Sequence, residues 1–331
     1  MAITHCITHQ IHPDESGAPA LRLRASELAV DETLESLVAE LKRAYLSRIN
    51  REYGRFSAES LESGLAHGLA QLVDGQQGFV EFSEQLARQL LQRLQEQGGE
   101  LRGHLILFLE RQHEQQTLYL FIVGQRIASR INERQEVEPV LTLDFGASMM
   151  ALKVDLELWR GDAGGAYLSL SPSRARGMAE LLQQLAGFCA GVDKAAATRD
   201  FLERIETFSR KLPEEQVSDF RNQVVGYCVG QDLQDAPVEI NGLSQALDGV
   251  DSADFSSYLA DHLPAGDGRL LLDRKSLQRY VKFAGRERDL AISFSSHQLN
   301  RRVHYQAETD TLSITGLPKM LRSQLLGHVE E

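Results

Sequence analysis

The sequence predicts an α+β protein: a largely antiparallel sheet with packed helices in the N-terminal part, a helical middle, and a small α/β tail. Three observations carry this. Through much of residues 1–172 apolar side chains alternate in period two, as strands with one buried face require. Two long segments interrupt that alternation with apolar residues three and four apart, the spacing of one helix face. After residue 172 the helical spacing dominates, until shorter mixed segments begin near residue 269. The predicted organisation is therefore an α+β domain (1–172), an acidic helical region (173–268) and a small basic α/β region (269–331).

The elements follow in order. ITHCITHQI, starting at Ile3, alternates and reads as a strand, with ALRLRA from Ala20 as its partner. In DETLESLVAELKRAYLSR, Leu34, Leu37, Val38, Leu41 and Tyr45 share one helical face, and Asp31 and Glu32 sit where the helix dipole favours negative charge. Phe79, Phe82, Leu86, Leu90 and Leu94 mark a second long helix, ended by Gly98-Gly99. GHLILFLERQHEQQTLYLFIVG is two apolar strands around a polar turn, a hairpin. VLTLDFG is a further strand, MALKVDLELW another with Leu152, Val154, Leu156 and Leu158 on one face, and YLSLS closes the sheet. In the middle region Phe201, Ile205, Phe208 and Leu212 form one helical stripe, and Val217, Phe220, Val224 and Tyr227 the next, with Pro213 at its start. The tail reads as a helix near 273–284, a strand LAISF, a hairpin RRVHYQ/TLSIT and a short helix from Pro318.

Composition narrows the function classes. A chain of 331 residues with 42% hydrophobic and 25% charged content is ordinary for a soluble globular protein. There is no apolar run of about 18 residues and no leader-like start, so no membrane partner is expected. Cys6, Cys189 and Cys228 are far apart and odd in number, which points to a reducing compartment, the cytoplasm, without a disulfide framework. No P-loop, GxGxxG or GxSxG pattern is present, and no cofactor or metal is expected.

A net charge of −12 argues mildly against nucleic acid, but distribution matters more than the total. Between Ala195 and Leu272 fourteen acids face six bases, a net of −8; between Arg274 and Arg302 eight bases face two acids, a net of +6. On the predicted 274–284 helix, Lys275, Arg279 and Lys282 line up opposite the core face, with Arg286 just beyond. Such a row can track phosphates; it can equally be a solvated face paired with acids of its surroundings. Arg174 and Arg176, in SPSRARG between a strand and a helix, suit a phosphate at the helix start or an ordinary turn. Lys42, Arg43, Arg48, Arg51 and Arg55 crowd the end of the first long helix, where complementing the dipole is a sufficient reason for them. Tyr280, Phe283 and Tyr305 are potential base-stacking platforms, although Tyr280 shares the apolar helix face.

Several dispersed blocks carry a resemblance: YGRFS from Tyr53, DLELW ending at Trp159, YLSLSPSRARGMAELL, LDRKSLQRYVKFAG, LAISF and the ending TDTLSITGLPKMLRSQL. In this order, over nearly the full chain, they resemble the 37-kDa nucleoid-associated protein family of bacteria (the NdpA type). The resemblance implies a cytoplasmic, nucleoid-located protein that binds DNA and has no known enzymatic chemistry. It transfers no catalytic residue.

Enzyme readings fail on pattern. His5 and His9 lie about 13 Å apart along a strand, too far to share an ion. Asp144-Phe145-Gly146 has the kinase DFG letters without the companion motifs and reads as a strand-ending turn. Asp155 and Glu157 would share a strand face, as a Mg²⁺-dependent nuclease would need, but Lys153 precedes rather than follows them, and alternating exposed charges on a half-buried strand explain them without chemistry.

The leading expectation is a non-enzymatic protein that binds double-stranded DNA through the backbone, with little sequence preference. Its nucleic-acid-binding residues would be Lys275, Arg279, Lys282, Arg286, Arg174 and Arg176. The rival is a protein-interaction module whose acidic helical region binds a DNA-processing protein. A homodimer would double a modest basic patch and raise avidity on a long polymer.

Overall fold

A computed structural model of the chain describes residues 2–97, 101–113, 115–146, 149–161, 166–173, 177–191, 193–262, 269–295, 298–299 and 301–329. Contacts divide it into two compact units, Met1–Asp193 and Lys194–Glu331.

The first unit runs β1 (Ala2–Pro13), β2 (Pro19–Arg22), α1 (Glu32–Ser47), β3 (Glu52–Phe56), α2 (Ala58–Glu62), α3 (Leu65–Val73), α4 (Phe79–Gln97), β4 (Gly103–Gln112), β5 (Gln115–Ile131), β6 (Val137–Asp144), β7 (Met150–Asp155), α5 (Leu156–Arg160), β8 (Leu168–Ser171), α6 (Met178–Ala186) and β9 (Phe188–Ala190). Among the described residues nine strands form one sheet in the order β2-β1-β4-β5-β7-β8-β3-β9, with β6 on β5. Every pairing is antiparallel.

Both faces of the sheet are covered, which explains why LILFL and LYLFIV are continuous apolar runs rather than alternating ones. Leu105, Leu107 and Leu109 of β4, with Leu118, Leu120 and Ile122 of β5, join one core with Leu69, Leu86, Leu90 and Leu182 from α3, α4 and α6. Ile106, Phe108, Tyr119 and Phe121 point to the other face and pack with Leu34, Val38, Leu41 and Tyr45 of α1. There Phe108 stacks on Tyr119 with ring centroids 4.9 Å apart and on Phe121 at 5.8 Å. Asp31 caps α1, accepting the Leu34 N–H at 2.8 Å.

The MALKVDLELW segment differs from expectation. β7 stops at Asp155, whose carboxylate accepts the Leu158 N–H at 3.1 Å and starts α5. Asp155 and Glu157 therefore do not share a strand face. Two of the dispersed sequence blocks meet in the sheet: Tyr53 pairs with Ser169 and Gly54 with Leu168. Gly54 has to be glycine, because a Cβ there would lie 2.2 Å from the Cys189 carbonyl oxygen.

The second unit runs α7 (Lys194–Ser209), α8 (Glu214–Leu233), β10 (Val238–Glu239), α9 (Ile240–Gln245), α10 (Ser252–His262), β11 (Arg269–Leu270), α11 (Arg274–Tyr280), β12 (Lys282–Glu287), β13 (Leu290–Ser295), β14 (Val303–Gln306), β15 (Thr311–Ile314) and α12 (Lys319–Val329). Its core joins Phe201, Ile205 and Phe208 of α7, Phe220 and Val224 of α8, Phe255 and Leu259 of α10, and Leu277 of α11. Phe208 meets Phe255 edge-on at 4.8 Å.

The predicted 273–284 helix is shorter than its periodicity suggests. α11 ends at Tyr280, and Lys282–Glu287 becomes a strand paired with β13, Lys282 opposite Ser295 and Arg286 opposite Ala291. Ladder hydrogen bonds from LAISFS satisfy the backbone that a longer helix would have satisfied internally. Lys275 and Arg279 remain on one helix, i and i+4; Lys282 and Arg286 belong to a β-ribbon.

Candidate nucleic-acid interface

The basic tail separates into engaged and free cations. Arg274 is buried, 7% exposed, and donates through Nε to Asp232 of α8 at 2.5 Å; a second guanidinium nitrogen also bonds that carboxylate. Lys194 lies 3.7 Å from the same carboxylate. Arg301 faces Asp219 at 3.4 Å. Arg302 donates to the carbonyls of Thr315, at 3.3 Å, and Gly316, tying β14 to the end of β15.

Lys275, Arg279, Lys282, Arg286 and Arg288 are all exposed. Among the described residues none of their side chains has a hydrogen bond or ion pair. α11 holds the first two in place. Asp273 caps it by accepting the Ser276 N–H at 2.8 Å, and Leu277 and Arg274 anchor its inner side. Arg279 lies in the last turn, where a cation also complements the dipole.

Tyr280 turns inward. Its hydroxyl donates to Glu206 at 2.8 Å, and the Arg221 guanidinium, 2.6 Å from the same carboxylate, lies 5.8 Å from the ring centroid. Burial, reinforced by Glu206, raises its phenol pKa well above the usual range. Phe283 is 48% exposed and packs on Phe294 with centroids 5.4 Å apart. Tyr305 is 53% exposed and donates to Asp310 at 2.8 Å. Of the three aromatics, Tyr280 is thus a core group and the other two are surface groups.

The cluster near the end of α1 has a different character. The Lys42 Nζ donates to both Glu110 oxygens, at 2.8 and 2.6 Å, and sits 5.4 Å from the Tyr119 ring centroid. Arg51 is 6% exposed and lies 5.1 Å from the Tyr45 ring and 5.8 Å from that of Tyr53. Arg48 caps α1, its backbone N–H bonding the Tyr45 carbonyl and its guanidinium the Gly146 carbonyl. No basic residue lies in the last turn of α1, so side-chain contacts rather than the dipole account for Lys42, Arg48 and Arg51. Arg43 and Arg55 remain exposed. Arg174 and Arg176 lie outside the described residues; the following Gly177, at φ 78°, starts α6 without a side-chain cap.

The histidines near the N-terminus are each held separately. His9 is buried between the Ser83 hydroxyl, at 3.0 Å, and the Arg24 N–H, at 3.2 Å; burial lowers its pKa. His5 pairs with Glu27 at 2.9 Å. Among the described residues no three metal-ligating side chains come together. Asp144 accepts the Gly146 N–H at 2.9 Å, so the DFG letters form the turn that ends β6.

The strand LAISF is present as β13; what sequence reasoning missed is its partner β12. Ser293 and Ser295 lie opposite the Ala284 and Lys282 positions of β12. The alternation of Ile292 and Phe294 with Ala291, Ser293 and Ser295 was the available signal, obscured by reading KFAG as helix.

Comparison with known proteins agrees with the earlier resemblance. A family model described as nucleoid-associated protein YejK matches residues 7–322. The chain belongs to this family of bacterial nucleoid-associated proteins. Curated relatives with that name extend over the same length. One from Pseudomonas aeruginosa is 28% identical over 330 residues, covering 98% of this chain and 97% of its own. One from Pseudomonas entomophila is 29% identical over 334 residues, with 98% of each covered. One from Azotobacter vinelandii is 28% identical with 98% of each covered. No described helix is long and apolar enough to cross a membrane.

Proposed function

We propose that this family member is a non-enzymatic protein of the cytoplasmic nucleoid that binds double-stranded DNA through its backbone, with little sequence preference. Lys275, Arg279, Lys282 and Arg286 would make the phosphate contacts, joined by Arg174 and Arg176. The observation that carries this is the sorting of the basic tail. Arg274, Arg301 and Arg302 have internal partners, whereas Lys275, Arg279, Lys282 and Arg286 are exposed and, among the described residues, unpaired. A cation without an internal partner keeps its full charge for a polyanion and releases the polyanion's counterions on binding. A second copy of the chain would double the patch and raise avidity on a long duplex.

Fluorescence anisotropy with a labelled duplex of arbitrary sequence, repeated across salt concentrations, tests the reading. The expected result is binding at low salt with a log–log slope of about −3 or steeper. Absence of binding at low salt would contradict it.

A second reading rests on the exposed acids of the helical unit, Asp248, Asp251, Asp254 and Asp261, which would suit a basic face of a DNA-processing protein. Charge reversal separates the two readings. Lys275→Glu with Arg279→Glu and Lys282→Glu weakens duplex binding by roughly a hundredfold under the first; under the second, reversing Asp248, Asp254 and Asp261 disrupts protein capture and leaves duplex affinity almost unmoved.

A further inference from the structure

We propose that the β12–β13 ribbon enters the major groove of duplex DNA with its Lys282/Arg286 face, an inference that rests on the DNA-binding reading above and adds its geometry. The register sorts the ribbon into two chemically distinct faces. Directly opposed residues in an antiparallel pair share a face, and successive residues alternate. Lys282 opposite Ser295, and Arg286 opposite Ala291, therefore lie on one side together with Ser293. Phe283 opposite Phe294, and Glu287 opposite Leu290, lie on the other side with Ile292. The two cations are thus on one face, and Glu287, the acid of these strands, is on the reverse.

On β13 the cationic face carries small, exposed residues, Ala291 opposite Arg286, Ser295 opposite Lys282 and Ser293 between them, so nothing bulky on β13 holds the ribbon away from a groove floor. Size selects the groove. Two paired strands are about 4.8 Å apart and six residues span roughly 20 Å. The major groove, about 12 Å wide, admits such a ribbon; the minor groove, about 6 Å wide, does not. Lys282 and Arg286, roughly 13 Å apart along β12, would reach phosphates at the groove walls. The serine hydroxyls, each donor and acceptor, accept either kind of base edge, which fits weak sequence preference. Arg288, in the turn with φ 44°, adds a further cation at the ribbon tip, unpaired among the described residues. The apolar reverse, with Phe283 at 48% and Leu290 at 63% exposure, makes an anionic membrane surface the competing target for the same ribbon.

The test uses the full chain and two readouts. A photo-crosslinking amino acid is placed at position 293 or at position 292, and each variant is irradiated with labelled duplex. Adduct yield is expected to be at least roughly fivefold higher from 293, because adjacent strand positions face opposite ways. The second readout needs no variant: affinity of the unaltered chain for a duplex whose major groove is filled by glucosylated hydroxymethylcytosine. A loss of roughly tenfold or more against the unmodified duplex is expected. Equal adducts from both positions, or unchanged affinity for the filled duplex, would overturn the ribbon mode while leaving DNA binding intact. Failure to bind the unmodified duplex would overturn the DNA-binding reading and this mode with it. Binding to phosphatidylglycerol vesicles with adducts from position 292, and none to duplex from 293, would assign the ribbon to a membrane instead.

Discussion

The sequence holds two clusters of positive charge, one around the end of α1 and one in α11 and the β12–β13 ribbon, and the fold engages them to different extents. In the first, Lys42 is locked to Glu110, Arg51 lies buried against two tyrosines and Arg48 caps backbone, which leaves Arg43 and Arg55 exposed. In the second, Lys275, Arg279, Lys282 and Arg286 extend into solvent beside Arg274, the member buried in an ion pair. Charge density along a sequence therefore does not identify a polyanion site. What identifies one is charge left over once internal partners are assigned, and the two clusters differ in that remainder.

The comparison can be broken most severely from the engaged side. Removing one partner of a buried pair leaves the other charge uncompensated, at a cost of about 3 kcal/mol or more. Lys42→Met should lower the urea midpoint of the first unit, read by the fluorescence of Trp159, which packs edge-on against Phe56 at 5.5 Å. Arg274→Met should do the same for the second unit, read by helical circular dichroism. Duplex affinity per folded molecule should barely change for Lys42→Met. From the free side the signature is inverted. Reversing Lys275, Arg279 and Lys282 to Glu should weaken duplex binding by roughly a hundredfold while lowering stability by no more than about 1 kcal/mol, from the lost dipole contact of Arg279.

Smaller effects sharpen the contrast. His9 is buried and His104 half-buried, and desolvation lowers the pKa of both. The unfolded chain takes up these protons near pH 6.5, where the folded chain resists them. Stability from this source is thus complete above about pH 6.5 and declines as pH falls through the lowered folded values, which urea midpoints measured from pH 7.5 to 5 would show. Smallest of all, Arg130 and Glu138, 2.5 Å apart on the β5–β6 ribbon, are 63% and 35% exposed. Arg130→Ala should cost under about 1 kcal/mol.

Most of the fold was legible because burial writes itself into periodicity. The faces of α1 and α4 and the hairpin of β4 and β5 follow directly from apolar spacing. The failures have physical causes. Leu277, Tyr280, Val281 and Ala284 keep helical spacing across a boundary set by long-range pairing with β13, which no local pattern records. The same limit applies at Asp155, where a cap ends an alternation that continues in the sequence. The site was legible as charge but not as partnership. Nothing near Arg274 or Lys42 in sequence marks Asp232 or Glu110 as the acids that engage them.

The salt dependence of duplex binding tests the central claim most directly, compared between two neutral variant sets. Each lost phosphate contact on B-form DNA reduces the log–log slope by about 0.9. Replacing Lys275, Arg279, Lys282 and Arg286 with Gln should flatten the slope by about 3 or more, whereas replacing the engaged Lys42 and Arg48 with Gln should leave the slope of the folded protein unchanged. Equal flattening by both sets, or a slope unmoved by the first, would contradict the distinction between free and engaged charge on which this account rests.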